Sequence, residues 1–250
     1  MKTQWIEIPE RFQFLSRDAL KIIAVLTMVI DHIGVCFCAD GTTAYLITRL
    51  IIGRIAFPIF CILFVQGMMY TKHPIRHIVT LAIFTVISEP CFDLVFRNTL
   101  LEWTYQSVML TWLLACITIL CLRKLHDCYE KKQVDKPMYM LGSASVILLI
   151  SLLSFGLQTD YSFTSIVICG LVYLFWLRKP TLQLWIPGSL VALGVAASYM
   201  TPGALLAIPF MMVYNDKKRT TSNVVSRYGF YVFYPAHLLI LYFLSAYVLS

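Results

Sequence analysis

Charge is scarce in this chain: Asp, Glu, Lys and Arg make up 13% of its 250 residues, against roughly 25% in a soluble globular domain. That shortage excludes an ordinary soluble fold. Metal-binding spacings are absent too. The eight cysteines are scattered through apolar stretches with no C-x-x-C pair and no Cys/His spacing, Cys36 and Cys38 being the one close pair. Neither a zinc site, a cluster nor a disulfide framework is legible. Most of these thiols read as small apolar packing residues, although Cys36 and Cys38 could oxidise if they face the outside. No repeat, no long Ser/Gly/Pro linker and no low-complexity tract interrupts the chain. We therefore read 1–250 as one domain, with 1–17 as a cytoplasmic N-terminal segment. The mixed start, Met1 to Arg11, lacks the apolar core of a signal peptide, so no cleavage is expected.

What the chain has in excess is apolar sequence, 59% of residues with a mean hydropathy of +0.77. The apolar runs are about 15–25 residues long, as membrane helices require, not the roughly 10-residue alternating strands of an outer-membrane barrel. The expected fold is all-α: a polytopic helical bundle. A net charge of +7 would invite nucleic acid as a partner in a soluble protein. In a membrane protein, cytoplasmic loops carry surplus Lys and Arg for topological reasons. Membrane lipid, and no nucleic acid, is the expected surrounding.

Charged and turn residues divide the chain into nine apolar segments, near 18–38, 45–70, 76–96, 104–122, 138–156, 162–177, 182–199, 201–214 and 227–249. Pro187 and Pro202-Gly203 blur the seventh and eighth boundaries. Basic residues test the count. Lys2, Arg11 and Arg17 precede the first span, and Lys72 and Arg76 lie in 71–77. Arg123, Lys124, Lys131, Lys132 and Lys136 occupy 123–137, Arg178 and Lys179 the 178–181 turn, and Lys217, Lys218, Arg219 and Arg227 the 215–227 loop. These alternate connections hold sixteen of the twenty basic residues, while the opposite set holds only Arg97. The asymmetry predicts nine crossings of the cytoplasmic (inner) membrane, N-terminus in and C-terminus out.

Ionisable residues inside such spans are expensive and mark function. Asp31-His32 lies near the middle of the first. Lys21 precedes His32 by eleven residues, about 1100° of helix, so both lie on one stripe roughly 16 Å apart. Lys21 could equally snorkel to the headgroups. In the second span, Arg49 sits near the outer boundary, where it could serve only as an anchor. Arg54 lies deeper and calls for a partner, either Asp31 as a structural ion pair or Glu89. Gly53 and Pro58 beside it permit close helix approach and free a carbonyl. The third span carries Glu89 and Asp93 on one face, Asp93 being read as interfacial and solvated. Asp160-Tyr161 falls in an outer turn. Tyr234 and His237 lie one turn apart in the last span. His73, His77 and His126 fall in or beside cytoplasmic loops and receive no chemistry.

Three stretches carry a family resemblance: Lys21-Ile-Ile-Ala-Val-Leu-Thr-Met-Val-Ile-Asp31-His32-Ile, then Gly53-Arg54-Ile-Ala56-Phe57-Pro58-Ile-Phe, then Tyr234 with His237-Leu. In this order they resemble the TraX family, whose namesake acetylates the N-terminus of conjugative F pilin. The first stretch is also similar to acyltransferase-three membrane enzymes, with Lys21-x10-His32 where those carry Arg-x10-His. Lys keeps the charge of that Arg but not its bidentate fork. The resemblance implies acyl transfer from a thioester, acetyl-CoA, to an amine or hydroxyl on a pilin-like protein or an envelope glycan.

Attack on a thioester needs a base near neutrality, and histidine supplies one. His32 is the expected base, with Asp31 or Glu89 setting its tautomer. Arg54 would stabilise developing negative charge. Arg17, Lys21, Lys72 and Arg76 would meet the donor's phosphates, and Tyr161, Tyr234 and His237 complete the binding set. No metal is called for. An acetyl-histidine intermediate is an open variant. Two other functions fit the same residues: a proton-coupled transporter relaying through Asp31, His32, Glu89 and His237, and a non-catalytic pilus or envelope assembly protein whose charges lock helices together.

Overall fold

Apolar runs interrupted by Pro, Gly and charged turns fold into nine helices in the computed structural model, which describes residues 8–178, 183, 185–199, 201–215 and 224–249. They are α1 (Arg17–Phe37), α2 (Thr43–Tyr70), α3 (Pro74–Arg97), α4 (Val108–Glu130), α5 (Lys136–Gly156), α6 (Ser162–Arg178), α7 (Trp185–Tyr199), α8 (Pro202–Met212) and α9 (Val224–Leu249). Six are long and apolar enough to cross a membrane: α1 to α5, and α9 over Tyr228–Val248. α6, α7 and α8 are shorter apolar helices. No strand occurs among the described residues. The chain is an all-α, multi-pass membrane protein. Lys2, Lys179, Lys217, Lys218, Arg219 and Ser250, on which part of the expected topology rests, lie outside the described residues.

Both ends of the fourth helix depart from the sequence reading. The fourth helix starts at Val108, not near 104, because Ser107 is its N-cap. It then continues through Arg123 and Lys124 to Glu130. The connection to α5 therefore shrinks from 123–137 to the short turn 131–135.

Backbone contacts divide the chain into two compact units, 1–63 with 179–227, and 64–178 with 228–250. In the first, α1 packs on the opening half of α2, and α7 packs on α8. Leu20, Ala24 and Met28 form a stripe at intervals of four along α1, all of them buried. Ile22, Leu26 and Ile33 on other faces stay exposed, as lipid-facing side chains do. The segment before α1 is strapped to the end of α8: the Leu15 N–H donates to the Val213 carbonyl and the Asn215 N–H to the Leu15 carbonyl.

In the second unit, α4 is the central helix, packed on α3, α5 and α6. Its Thr111, Ala115, Cys116, Thr118, Ile119 and Leu122 are fully enclosed. Small residues let the neighbours approach: Ser143, Ser151 and Ser154 of α5 are buried, and Gly170 of α6 lies against Ile147 and Leu122. Close backbone approach through small residues is the usual basis of helix association in lipid.

Candidate functional site

Asp31 is turned toward α2. Its Oδ2 lies 4.0 Å from Arg49 Nη1, and a Cβ on Gly53 would collide with its Cβ, Cγ and Oδ1. One turn along α1, Gly34 makes room in the same way for Thr48. Arg49, read from the sequence as an anchor at the membrane boundary, is thus an ion-pair partner of Asp31. Its side chain is 25% exposed and that of Asp31 is 17% exposed, so the pair is largely withdrawn from solvent. Arg49 also lies over the Tyr45 ring, 5.8 Å from the centroid.

α2 is irregular at this point. Leu46–Ile52 is a π turn, Gly53–Ile55 a 3₁₀ turn, and the regular α-helix resumes at Ala56. Three features of the sequence favour this. β-branched residues at 47, 48, 51 and 52 fit an α-helix less well. Pro58 cannot donate to the carbonyl of Arg54, four residues back. Gly53 tolerates the tightened backbone. Arg54 is half-buried within the 3₁₀ turn. Insertions of this kind recur at functional sites.

His32 is 8% exposed on the buried side of α1, and Lys21 is half-buried on the same unbroken helix. Arg17 donates from Nη2 to the Leu63 carbonyl at 3.0 Å, which ties the start of α1 to α2. Lys72 and Arg76 are exposed in the second unit, before and within the first turn of α3.

In the second unit Glu89 and Asp93 both hold backbone groups of the 98–107 loop. Glu89 accepts from the Ser107 backbone N–H at 2.9 Å and from the Ser107 hydroxyl at 2.8 Å. It therefore closes the first turn of α4, where orphan N–H groups and the helix dipole favour an anion. Asp93, expected to be solvated, is fully buried. The 98–107 loop folds back over it, and the Glu102 N–H donates to its Oδ2 at 2.8 Å. Glu102 is partly exposed, and its carboxyl is held below the usual range by the bond from the Thr104 backbone N–H.

Asp160 is the hub of the neighbouring turn. Its Oδ1 accepts from the Tyr105 hydroxyl and the Tyr161 N–H, its carbonyl accepts from the Thr111 hydroxyl, and its N–H donates to the Gln106 carbonyl. Tyr161 and Ser162 have φ of 59° and 40°. Side chains other than glycine rarely adopt such values, and the strain is held by this surrounding network.

Tyr234 is 1% exposed and within electrostatic reach of Asp160, Glu89 and Tyr105. His237 is 6% exposed and meets the Tyr234 ring edge-on at 5.7 Å. Its Nδ1 lies 2.9 Å from the Phe233 carbonyl. A carbonyl only accepts, so Nδ1 carries the hydrogen and a neutral ring keeps Nε2 as its basic nitrogen.

His77, to which the sequence assigned no chemistry, sits in an aromatic setting. It lies inside α3, half-buried, with the Tyr231 hydroxyl 3.2 Å from Nδ1. Phe84 stacks on Tyr231 and Phe64 packs against Trp112 around it. Pro74 at the first helical position signals that α3 starts before His77.

Comparison with known proteins follows the same stretches. Residues 16–245 match the family model described as TraX protein. A similar protein of Dichelobacter nodosus is named probable fimbrial assembly protein FimC, serogroup H1. It is 25% identical over 246 residues, covering 90% of this chain and 94% of that protein. No solved structure matches the chain.

Proposed function

The chain belongs to the TraX family, and from that premise we propose that it is a pilus-related membrane acyltransferase. It moves an acetyl group from acetyl-CoA to an amine or hydroxyl of a pilin-like protein or envelope glycan. The observation that carries this reading is the Asp31–Arg49 ion pair, seated on Gly53 and next in sequence to the buried His32, within two long apolar helices. Charge placed there at such expense is kept for chemistry or for a partner.

In the proposed reaction His32 takes a proton from the attacking amine or hydroxyl as the new bond to the thioester carbon forms. Asp31, held by Arg49, sets the tautomer of His32. Arg54 stabilises the oxyanion of the tetrahedral intermediate. As that intermediate collapses, the C–S bond breaks and the proton passes from His32 to the departing thiolate. Lys21, Arg17, Lys72 and Arg76 serve the donor's phosphates from the cytoplasmic side. Tyr161, Tyr234 and His237 serve binding. Glu89 is given the role of holding Ser107 at the head of α4, which both its oxygens contact. The membrane is the inner one, with the N-terminus in the cytoplasm and the C-terminus outside.

The name of the Dichelobacter protein favours a second reading, a fimbrial assembly protein without catalysis. One assay separates the two. The purified protein is incubated with isotopically labelled acetyl-CoA and a pilin-like peptide carrying a free or a blocked N-terminus. Label on the free peptide, lost in His32→Ala, supports the acyltransferase. A folded protein that transfers no label to amine or hydroxyl acceptors, yet is required for pilus assembly in cells, supports the assembly reading.

A further inference from the structure

Gly203 bears no chemistry, yet it touches the one irregular stretch of the candidate site. In the π turn of α2 the Gly53 N–H reaches the Thr48 carbonyl, five residues back. On an ordinary α-helix, residues five apart sit about 140° from each other. Here both face α1: Thr48 fills the space beside Gly34, and Gly53 lies under Asp31. Asp31 and Gly34 are three apart and share a face of α1. The matched contacts Gly34–Thr48 and Asp31–Gly53 therefore depend on the surplus residue of the π turn. In α-helical register Ile52, four residues after Thr48, would occupy the place of Gly53. Its branched side chain would then press on the Asp31 carboxylate.

Something must favour the wide turn over the α-helical alternative. Gly203, buried at the start of α8, packs directly on it. A Cβ there would collide with the carbonyl oxygens of Leu50 and Ile51 and with the Ile51 Cα. These are backbone atoms, so no side chain can swing aside to admit one. Without a Cβ, glycine lets the two backbones approach this closely.

We infer that Gly203 is a positioning residue: seated on the carbonyls of the π turn, it fixes the register in which Arg49 meets Asp31. Its consequence for turnover rests on the acyl-transfer reading; its consequence for the ion pair does not.

The test uses the full chain in detergent. The loss of Tm caused by Asp31→Asn, measured with and without Arg49→Gln, gives the coupling between the two residues. That coupling is expected in the parent protein and is expected to vanish in Gly203→Ala. In the same variant kcat for acetyl transfer should fall about tenfold with KM little changed, since misplacement by an ångström is worth up to about 10²-fold. Gly188→Ala is the packing control, because a Cβ there meets chiefly the flexible Met211 thioether. It should shift Tm and keep the coupling.

Deletion of Leu50 in the Gly203→Ala background covers the case in which that variant fails to fold. The deletion makes Thr48 and Gly53 an α-helical pair four apart, still on one face, and removes the surplus residue. Folding and coupling should return. Coupling that survives Gly203→Ala, or a deletion variant that does not recover, overturns the inference. Coupling lost as expected in a protein that transfers no acetyl group sustains it and removes the acyl-transfer reading instead.

Discussion

Glu89 of α3 and Ser107 at the head of α4 share two hydrogen bonds, of 2.9 and 2.8 Å. The arrangement is a helix cap supplied by a different helix, eighteen residues back in the chain. Glu89→Ala leaves the fully buried Ser107 without that acceptor and should cost about 1–3 kcal/mol. Glu89→Gln keeps an acceptor for the N–H and should cost less. Melting of the purified variants checks the order. Acetyl transfer by Glu89→Gln should stay within about tenfold of the parent. A loss of about 10²-fold with an unchanged melt would instead give Glu89 a chemical role.

Much of the fold was legible because lipid imposes one rule on every span: the backbone must satisfy itself, so long apolar runs become helices. The site was legible only in part. Asp31, His32 and Arg54 stand out by charge against apolar neighbours. The role of Arg49 did not, because it depends on a π turn in Leu46–Ile52, where apolar residues surround Arg49 on nearly every face and periodicity carries no register. The surplus residue is explained by Gly34 and Gly203, which are distant in sequence. Asp93 read as solvated from its place near a helix end, and only the returning 98–107 loop buries it. Ser107 was a readable N-cap signal before the apolar run at Val108. Its partner Glu89 was not, being a tertiary contact.

The proposed orientation rests on the loop charges and is open to direct test. Reporter fusions in the 131–135 turn and the 215–227 segment should report a cytoplasmic location, and fusions in the 157–161 turn and after Ser250 an outer one. Sixteen basic residues lie in or near one set of connections, many of them in the flanking helix ends, against Arg97 alone in or near the other. A C-terminal reporter found in the cytoplasm would mean an even number of crossings and would invert the proposed sidedness.

His32→Ala should leave a folded protein whose acetyl transfer falls by about 10²-fold or more, the loss expected for a general base. His126→Ala is the comparison. That histidine lies 3.9 Å from Glu130 one turn along α4, an ion pair worth little because its carboxylate is exposed. Its removal should leave turnover nearly unchanged. Equal activity of the two variants in the labelled-acetyl assay would remove His32 from the mechanism.

His237 separates binding from proton transfer, because its two nitrogens can be replaced one at a time. Nδ1–H donates to the Phe233 carbonyl at 2.9 Å, and Nε2 is left as the acceptor. An asparagine amide can occupy the Nδ1 position, so His237→Asn keeps the bond to Phe233 and deletes Nε2. Its Tm should fall by no more than about 4 °C, the shift that about 1 kcal/mol produces in a chain of this size. His237→Gln carries an acceptor to the Nε2 position and gives up the Nδ1 bond. If His237 binds donor or acceptor, as proposed, the Asn variant should show KM raised about tenfold with kcat nearly kept, and the Gln variant should recover part of that affinity. Loss confined to kcat, in both variants and by about 10²-fold, would make His237 the proton-transferring histidine. His32 would then retain only a positioning role, and the labelled-acetyl assay on the two single variants would show which of them abolishes turnover.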